Sequence, residues 1–206
     1  MTSVPIAFAE GNAYSNGMRV TGGVLGGRTI EAPRGQAVRP TQDRVRLALF
    51  SSLASRVAGC RFLDLFAGSG AVGLEAWSRG AVAVCWVEQS ARVLPVLRRN
   101  VETLCGSAPG GAWRVVRADA LRFVERAAPA AVFDIVFADP PYDREGRRDW
   151  VGDLLRSLRR APILAPGGIF AMEQAADEPA VSDAGWTVTG PKVYGGTRLY
   201  LFNRSV

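Results

Sequence analysis

From residue 59 onward, short apolar runs alternate with longer amphipathic stretches. Strand-length runs lie at 61–66, 82–87, 113–117, 133–138 and 168–173, and helical spacing occupies 71–79, 90–104, 119–127 and 149–161 between them. That alternation predicts an α/β, Rossmann-like fold, with a mostly parallel sheet covered by helices on both faces. Two further runs, 185–190 and 197–203, flank Gly195-Gly196 and predict a C-terminal antiparallel hairpin, which completes seven strands.

Upstream the texture differs. Residues 1–17 are small and polar without clear periodicity, as expected of a disordered tail. Between Arg19 and Ile30, short apolar runs around Gly22-Gly23 and Gly26-Gly27 predict a small hairpin or ribbon. A loop follows from Arg34 to Pro40. Thr41 is a suitable cap for a helix running to about Arg56, with Val45, Leu49, Ser52 and Leu53 along one face. The chain therefore divides into a tail (1–17), an N-terminal extension of hairpin and helix (18–58) and an α/β domain (59–206).

Charge sharpens this division. Of the 206 residues, the segment from Met18 to Arg61 holds eight arginines against only Glu31 and Asp43, which accounts for the whole formal charge of +6. Positive charge gathered in one segment is the footprint of a polyanion-binding surface. An arginine-rich composition with a solvated basic face would give the same count. No apolar run approaches a membrane span, and the N-terminus lacks the basic start and long apolar stretch of a secretory signal, so a cytoplasmic protein is expected. Cys60, Cys85 and Cys105 are widely spaced and read as reduced, buried thiols. The chain contains no histidine, which excludes His-based triads and the common zinc sites. Chemistry here must use carboxylates, backbone and a cofactor.

The first strand of the α/β domain runs into Asp64-Leu65-Phe66-Ala67-Gly68-Ser69-Gly70-Ala71-Val72-Gly73. Gly68, Gly70 and Gly73 have the spacing of a nucleotide-binding turn in a strand–turn–helix setting, where glycine permits close approach of backbone to ligand. By itself this spacing also fits a dinucleotide site, with Glu88 as the ribose-binding acid. Asp64 argues otherwise: an acid four residues before the first glycine repels a pyrophosphate but suits a cation. The sulfonium and amino group of S-adenosylmethionine meet that requirement. Glu88, with Gln89 beside it, is then expected to accept from the ribose hydroxyls. Asp119 is expected at the adenine amino group, with the Ala120 amide near a ring nitrogen. Any one of these acids alone is equally well a helix cap or a surface charge.

The fourth strand, Phe133 to Ala138, ends in Asp139-Pro140-Pro141-Tyr142. Proline cannot continue a sheet ladder and pushes the preceding residue toward extended geometry. The turn therefore presents the Asp139 carboxylate, the Pro140 carbonyl and the Tyr142 ring together. Two acceptors beside a stacking face suit a planar group bearing an NH2, such as a nucleobase. Alone, the tetrapeptide fits a plain strand-and-turn just as well.

Taken together, these segments resemble a class I S-adenosylmethionine-dependent methyltransferase. More narrowly, the chain resembles the RsmD family, bacterial enzymes that methylate the exocyclic N2 of a guanine in 16S ribosomal RNA. The match is carried by Gly22-Gly23, Gly27-Arg28, Arg39-Pro40-Thr41-Gln42-Asp43-Arg44-Val45-Arg46, Leu63 to Gly70, Val87-Glu88, Asp119-Ala120 and Asp139 to Tyr142. The Arg39–Arg46 block is its most family-specific part. The resemblance implies catalytic roles for Asp139, Pro140 and Tyr142. It implies cofactor contacts from Asp64, Phe66, Ala67, Gly68, Ser69, Gly70, Glu88, Gln89, Asp119, Ala120 and Asp139. RNA contacts are implied for Arg19, Arg28, Arg34, Arg39, Thr41, Arg44 and Arg46. It also implies a monomer without a metal, acting on a largely assembled small ribosomal subunit. The chain departs from the family pattern at Gly26 and Thr29, where basic residues are usual, and at Tyr142, where phenylalanine is common; residues 1–17 match no part of it. Two alternatives remain open: an amino-group methyltransferase acting on adenine N6 or glutamine, and, more remotely, an NAD(P)-dependent oxidoreductase.

Overall fold

The computed structural model describes residues 18–33, 40–106, 112–128, 132–141, 149–178 and 185–204, with backbone alone at 40–42. The expected tail (1–17), Arg34, Arg39, Tyr142 and the Thr41 side chain lie outside the described residues.

Seven strands form one sheet: β3 (Arg61–Asp64), β4 (Ala83–Glu88), β5 (Ala112–Arg117), β6 (Phe133–Ala138), β7 (Leu164–Ala175), β8 (Trp186–Tyr194) and β9 (Thr197–Arg204). Their spatial order is β5-β4-β3-β6-β7-β9-β8. Strands β3 to β7 run parallel, and β9 runs antiparallel to both β7 and β8. The chain builds outward from β3 to β5, then returns to place β6 on the other side of β3. The direction of winding reverses between β3 and β6, which is where open α/β sheets form a ligand crevice at the carboxyl ends of their strands.

The sheet separates two apolar cores. Phe62, Ile135, Phe137, Ile169, Ala171 and Leu199 face one side, where α1 (Pro40–Val57), α2 (Ala71–Ser78) and α3 (Leu94–Cys105) pack. Leu63, Val136, Ala138, Phe170, Met172 and Phe202 face the other, with α4 (Ala120–Glu125) and α5 (Trp150–Arg160). This is the period of two expected of a strand buried on both faces. Cys60, Cys85 and Cys105 are free and buried. Among the described residues, no helix is long and apolar enough to cross a membrane.

Several boundaries differ from the expected ones for local reasons. The strand beginning at Arg61 ends at Asp64, because Leu65 and Phe66 already turn toward Gly68, although the Leu65 amide still donates to the Phe137 carbonyl at 3.0 Å. The helix expected from residue 90 starts at Leu94, since Pro95 is tolerated only in a first helical turn. Strand β7 is longer than 168–173 and absorbs Gly167-Gly168 through a register shift against β6.

The N-terminal ribbon pairs β1 (Met18–Arg19) with β2 (Thr29–Ile30). Its turn is docked on the end of α2: the Val24 amide donates to the Ser78 carbonyl and the Leu25 amide to Ser78 Oγ, both at 2.8 Å. Gly23, at φ +77°, allows this approach; a Cβ there would lie 1.9 Å from the Ser78 carbonyl oxygen.

Candidate active site

An open cleft of about 880 Å³ lies over the carboxyl ends of β3, β4 and β6, within the roughly 300–1,000 Å³ of sites that enclose a drug-sized ligand. Its wall includes Asp64 to Ser69, Glu88 to Ser90, Ala118, Ala120, Asp139, Pro140, Pro141, Glu173 and Arg46. Glycine turn and Asp-Pro-Pro turn, 71 residues apart in sequence between Gly68 and Asp139, therefore share one cavity.

The glycine turn is shaped by steric demands. Gly70 has φ +87° and sits against Leu97 Cδ1, 2.6 Å from where a Cβ would be. A Cβ on Gly73 would stand 2.2 Å from Trp86 Nε1, so α2 packs directly onto β4. Trp86 Nε1 in turn donates to the Gly70 carbonyl at 3.2 Å. Gly68 differs: at φ +53° a Cβ would meet nothing within 4 Å, so this backbone faces open space.

Asp64 is buried, with its Oδ2 accepting from the Gly73 amide at 3.1 Å. Its Oδ1 is buried and has no hydrogen-bond partner. The Phe66 amide lies near enough to favour the charged form slightly, yet no contact of hydrogen-bonding geometry reaches Oδ1. Burial, opposed by the Gly73 amide and reinforced by Asp139 and Glu88, raises this carboxyl to about 7. Asp139 is half-buried and raised to about 6 by desolvation. Glu88 ties two loops together, accepting from the Gly68 amide at 2.9 Å and the Ser90 amide at 2.7 Å. Two amides leave roughly half of a carboxylate's four acceptor directions free.

Two expected site residues are used differently. Asp119 caps α4 by accepting from the Arg122 amide at 3.0 Å, while the cleft wall there is made by Ala118 and Ala120. The cap uses one oxygen of the Asp119 carboxylate, which leaves the other for the contact expected with an adenine amino group. Arg46 does not lie on a phosphate-facing surface. It is 3% exposed, donates to the Arg19 carbonyl at 2.5 Å and to Asp43 at 3.0 Å, and lies 3.5 Å from the wholly buried Glu75. Glu75 also accepts from the Thr21 amide and hydroxyl, each at 2.7 Å, and from Arg79 at 2.8 Å. This arginine fastens the ribbon to α1 and α2. Arg19, Arg28 and Arg44 are exposed.

One titratable residue of the cleft was not anticipated. Glu173 on β7 is 8% exposed and lines the cleft beside Asp139. Burial, then the charge of Asp139, raises its carboxyl well above the ordinary glutamate value, against a lowering by Arg46. A glutamate directly after the apolar run Ile169 to Met172, on the same face as Ile169 and Ala171, was the available signal. Among the described residues, no three His, Cys, Asp or Glu side chains are grouped so as to hold a metal ion.

The strand order, the glycine turn after β3 and the Asp-Pro-Pro turn after β6 define the class I methyltransferase architecture, and solved methyltransferase structures share it. That of yhhF from Escherichia coli superimposes with a TM-score of 0.76 at 34% identity, covering 91% of this chain and 98% of that one. The chain belongs to the family described as conserved hypothetical protein 95, the RsmD family, whose model matches residues 18–203. Among its relatives, the Ribosomal RNA small subunit methyltransferase D of Escherichia coli K12 is 35% identical over 92% of this chain and 91% of its own length. The protein of the same name from Haemophilus influenzae is 31% identical over 89% and 93%, respectively.

Proposed function

We propose that this protein transfers a methyl group from S-adenosylmethionine to ribosomal RNA, and more specifically to the exocyclic N2 of a guanine in 16S RNA. The observation that carries this reading is the single cleft in which the glycine turn and Asp139-Pro140 meet, lined by Asp64, Glu88 and Glu173. Relatives over nine-tenths of the chain named for small-subunit ribosomal RNA support the substrate class.

The residues present fit the cofactor. Asp64 offers an unpartnered buried oxygen to a cationic group, Gly68 presents backbone to open space, and Glu88 retains acceptor directions for ribose hydroxyls. Phe66, Ala67, Ser69 and Gln89 complete that wall, with the Ala120 amide on the adenine side. When bound, S-adenosylmethionine supplies an electrophilic methyl group on a sulfonium.

The amino nitrogen of guanine is a weak nucleophile because its lone pair is delocalised into the ring. Asp139 and the Pro140 carbonyl accept its two N–H groups and favour a pyramidal, more nucleophilic nitrogen. Holding that nitrogen at near-attack distance removes much of the entropic barrier. As the N–C bond forms and the C–S bond breaks, Asp139 stabilises the positive charge growing on nitrogen and takes its proton, which then passes to solvent. A carboxyl raised to about 6 suits this work near neutral pH. Tyr142 stacks on the extruded base in this reading. Exposed Arg19, Arg28 and Arg44 bind phosphates and set position, while the cleft chooses the base.

The experiment offers methyl-labelled cofactor to small ribosomal subunits, free 16S RNA and duplex DNA. Label is expected in the RNA of the subunit. Label confined to DNA or protein overturns the substrate assignment, and binding of NAD(P)H with no methyl transfer overturns the activity.

A further inference from the structure

Three carboxylates from three adjacent parallel strands stand on one face of the sheet. Asp64 shares that face with Phe62, Asp139 with Phe137, and Glu173 with Ala171. Ala138 pairs with Met172 as the last rung between β6 and β7, and Asp139 and Glu173, the residues that follow each, line the same cleft. Asp64 is engaged by Gly73, and Asp139 is the acceptor for the reacting amino group in the reading above. Glu173 alone has no assigned task. It is more than nine-tenths buried, it lines the cleft, and it makes no hydrogen bond or ion pair with any described residue. Arg46 lines the same cleft and its charge favours ionised Glu173, but no hydrogen bond joins the two. Its Nη2 donates to the Arg19 carbonyl and to Asp43, and its Nε, without a hydrogen-bond partner among the described residues, lies 3.5 Å from Glu75. The β9 residue paired with Glu173 is Leu199, which brings no donor side chain.

A buried acceptor without a partner among the described residues is a group open to a donor on the ligand. We infer that Glu173 accepts the N1–H of the target guanine while Asp139 holds the neighbouring 2-amino group, and that this contact makes the enzyme choose guanine over adenine. The inference rests on the methyl-transfer reading. Guanine presents two kinds of donor side by side on this edge, the amino group and N1–H. Adenine presents an amino group beside a bare N1 lone pair, which would face the Glu173 oxygen and leave it unpaired. Sites built to hydrogen-bond a substrate N–H reject the analogue lacking it far more strongly than apolar pockets discriminate size. An ionised Glu173 accepts N1–H and has no donor for a bare N1, whereas a neutral carboxyl would donate its O–H to that N1. The discrimination belongs to the ionised form, and since burial and Asp139 raise this carboxyl the comparison below is made at alkaline pH.

The test uses small subunits reconstituted with 16S RNA that carries either guanine or 2-aminopurine at the position the wild-type enzyme modifies. 2-Aminopurine keeps the 2-amino group but has no proton on N1. Its missing O6 affects all enzyme forms alike and cancels in the comparison. For wild type, kcat/KM is expected to favour guanine by roughly 100-fold or more. Glu173→Gln, which retains one carbonyl acceptor, should fall between wild type and Glu173→Met. In Glu173→Met the preference should drop below roughly 10-fold, with S-adenosylhomocysteine affinity within about threefold of wild type. Thermal melting checks that both variants fold. A Glu173→Met enzyme that slows on both bases with an unchanged ratio overturns the inference and makes Glu173 structural. A parallel loss of S-adenosylhomocysteine affinity with an unchanged ratio also overturns it, by placing Glu173 on the cofactor side. Wild-type enzyme that labels no guanine at all refutes the methyl-transfer reading itself.

Discussion

Replacing Asp64 with asparagine should strengthen the fold while weakening the cofactor. Asparagine keeps an oxygen for the Gly73 amide and removes the charge at a position 1% exposed. An acid held at about 7 rather than 3.8 binds protons more tightly in the folded state than in the unfolded chain. Wild-type stability therefore declines as pH rises from about 3.8 to about 7, and the decline is complete by pH 8. Three pKa units correspond to about 4 kcal/mol, and the repulsion shared with Asp139 and Glu88 brings the part removed by the substitution to roughly 2–4 kcal/mol. In a chain of this size that raises Tm by roughly 5–15 °C at pH 8. The gain should shrink toward pH 5, where much of wild-type Asp64 is already neutral. Losing a charge-assisted contact to the ligand ammonium should weaken S-adenosylhomocysteine binding roughly 10- to 100-fold. Thermal melting at the two pH values and calorimetric titration at pH 8 measure both effects. An Asp64→Asn protein that binds as tightly as wild type, or melts lower at pH 8, would refute the reasoning and make Asp64 a plain anchor for α2.

Three further outcomes are expected. Asp139→Asn should lower single-turnover methyl transfer on the order of 100- to 1,000-fold with little change in S-adenosylhomocysteine affinity; the wild-type rate should rise with pH through about 6 as Asp139 ionises, and a flat wild-type profile there would argue against a role for its charge. Glu75→Ala leaves Arg46 without its buried partner and should destabilise the protein by roughly 3–5 kcal/mol in urea denaturation, with faster hydrogen exchange at the Thr21, Val24 and Leu25 amides; a loss under about 1 kcal/mol would mean that the ribbon is held elsewhere. Changing exposed Arg28 and Arg44 together to glutamate should weaken 16S RNA binding at every salt concentration and flatten the log–log salt dependence by roughly one per arginine; an unchanged slope would remove both from the phosphate-binding face.

Much of the architecture could be read from local pattern. Strand β6 has the expected limits because its apolar run ends at a proline turn, and the seven strands follow from the alternation. The carboxylates at Asp64, Glu88 and Asp139 were legible because strand ends with turn chemistry mark the ligand side of such a sheet. Asp119 was ambiguous in kind, since an acid after a strand and before a helix suits both a cap and a ligand contact; here one of its oxygens accepts from the Arg122 amide as a cap. Arg46 was misread because its ion partner Glu75 lies 29 positions away, and no local period reports such a pairing. It sits among surface arginines in sequence but on the buried side of α1, next to Val45 and Leu49. Glu173 was passed over because strand propensity and register, rather than a turn, bring it beside Asp139.

The central claim is that the cleft methylates the 2-amino group of a guanine in small-subunit RNA. Its most direct measurement is to label small subunits with methyl-tritiated S-adenosylmethionine and this enzyme, digest the 16S RNA to nucleosides and identify the labelled one. The account predicts N2-methylguanosine at a single position, absent with Asp139→Ala. Label in N6-methyladenosine, or in ribosomal protein, would contradict it.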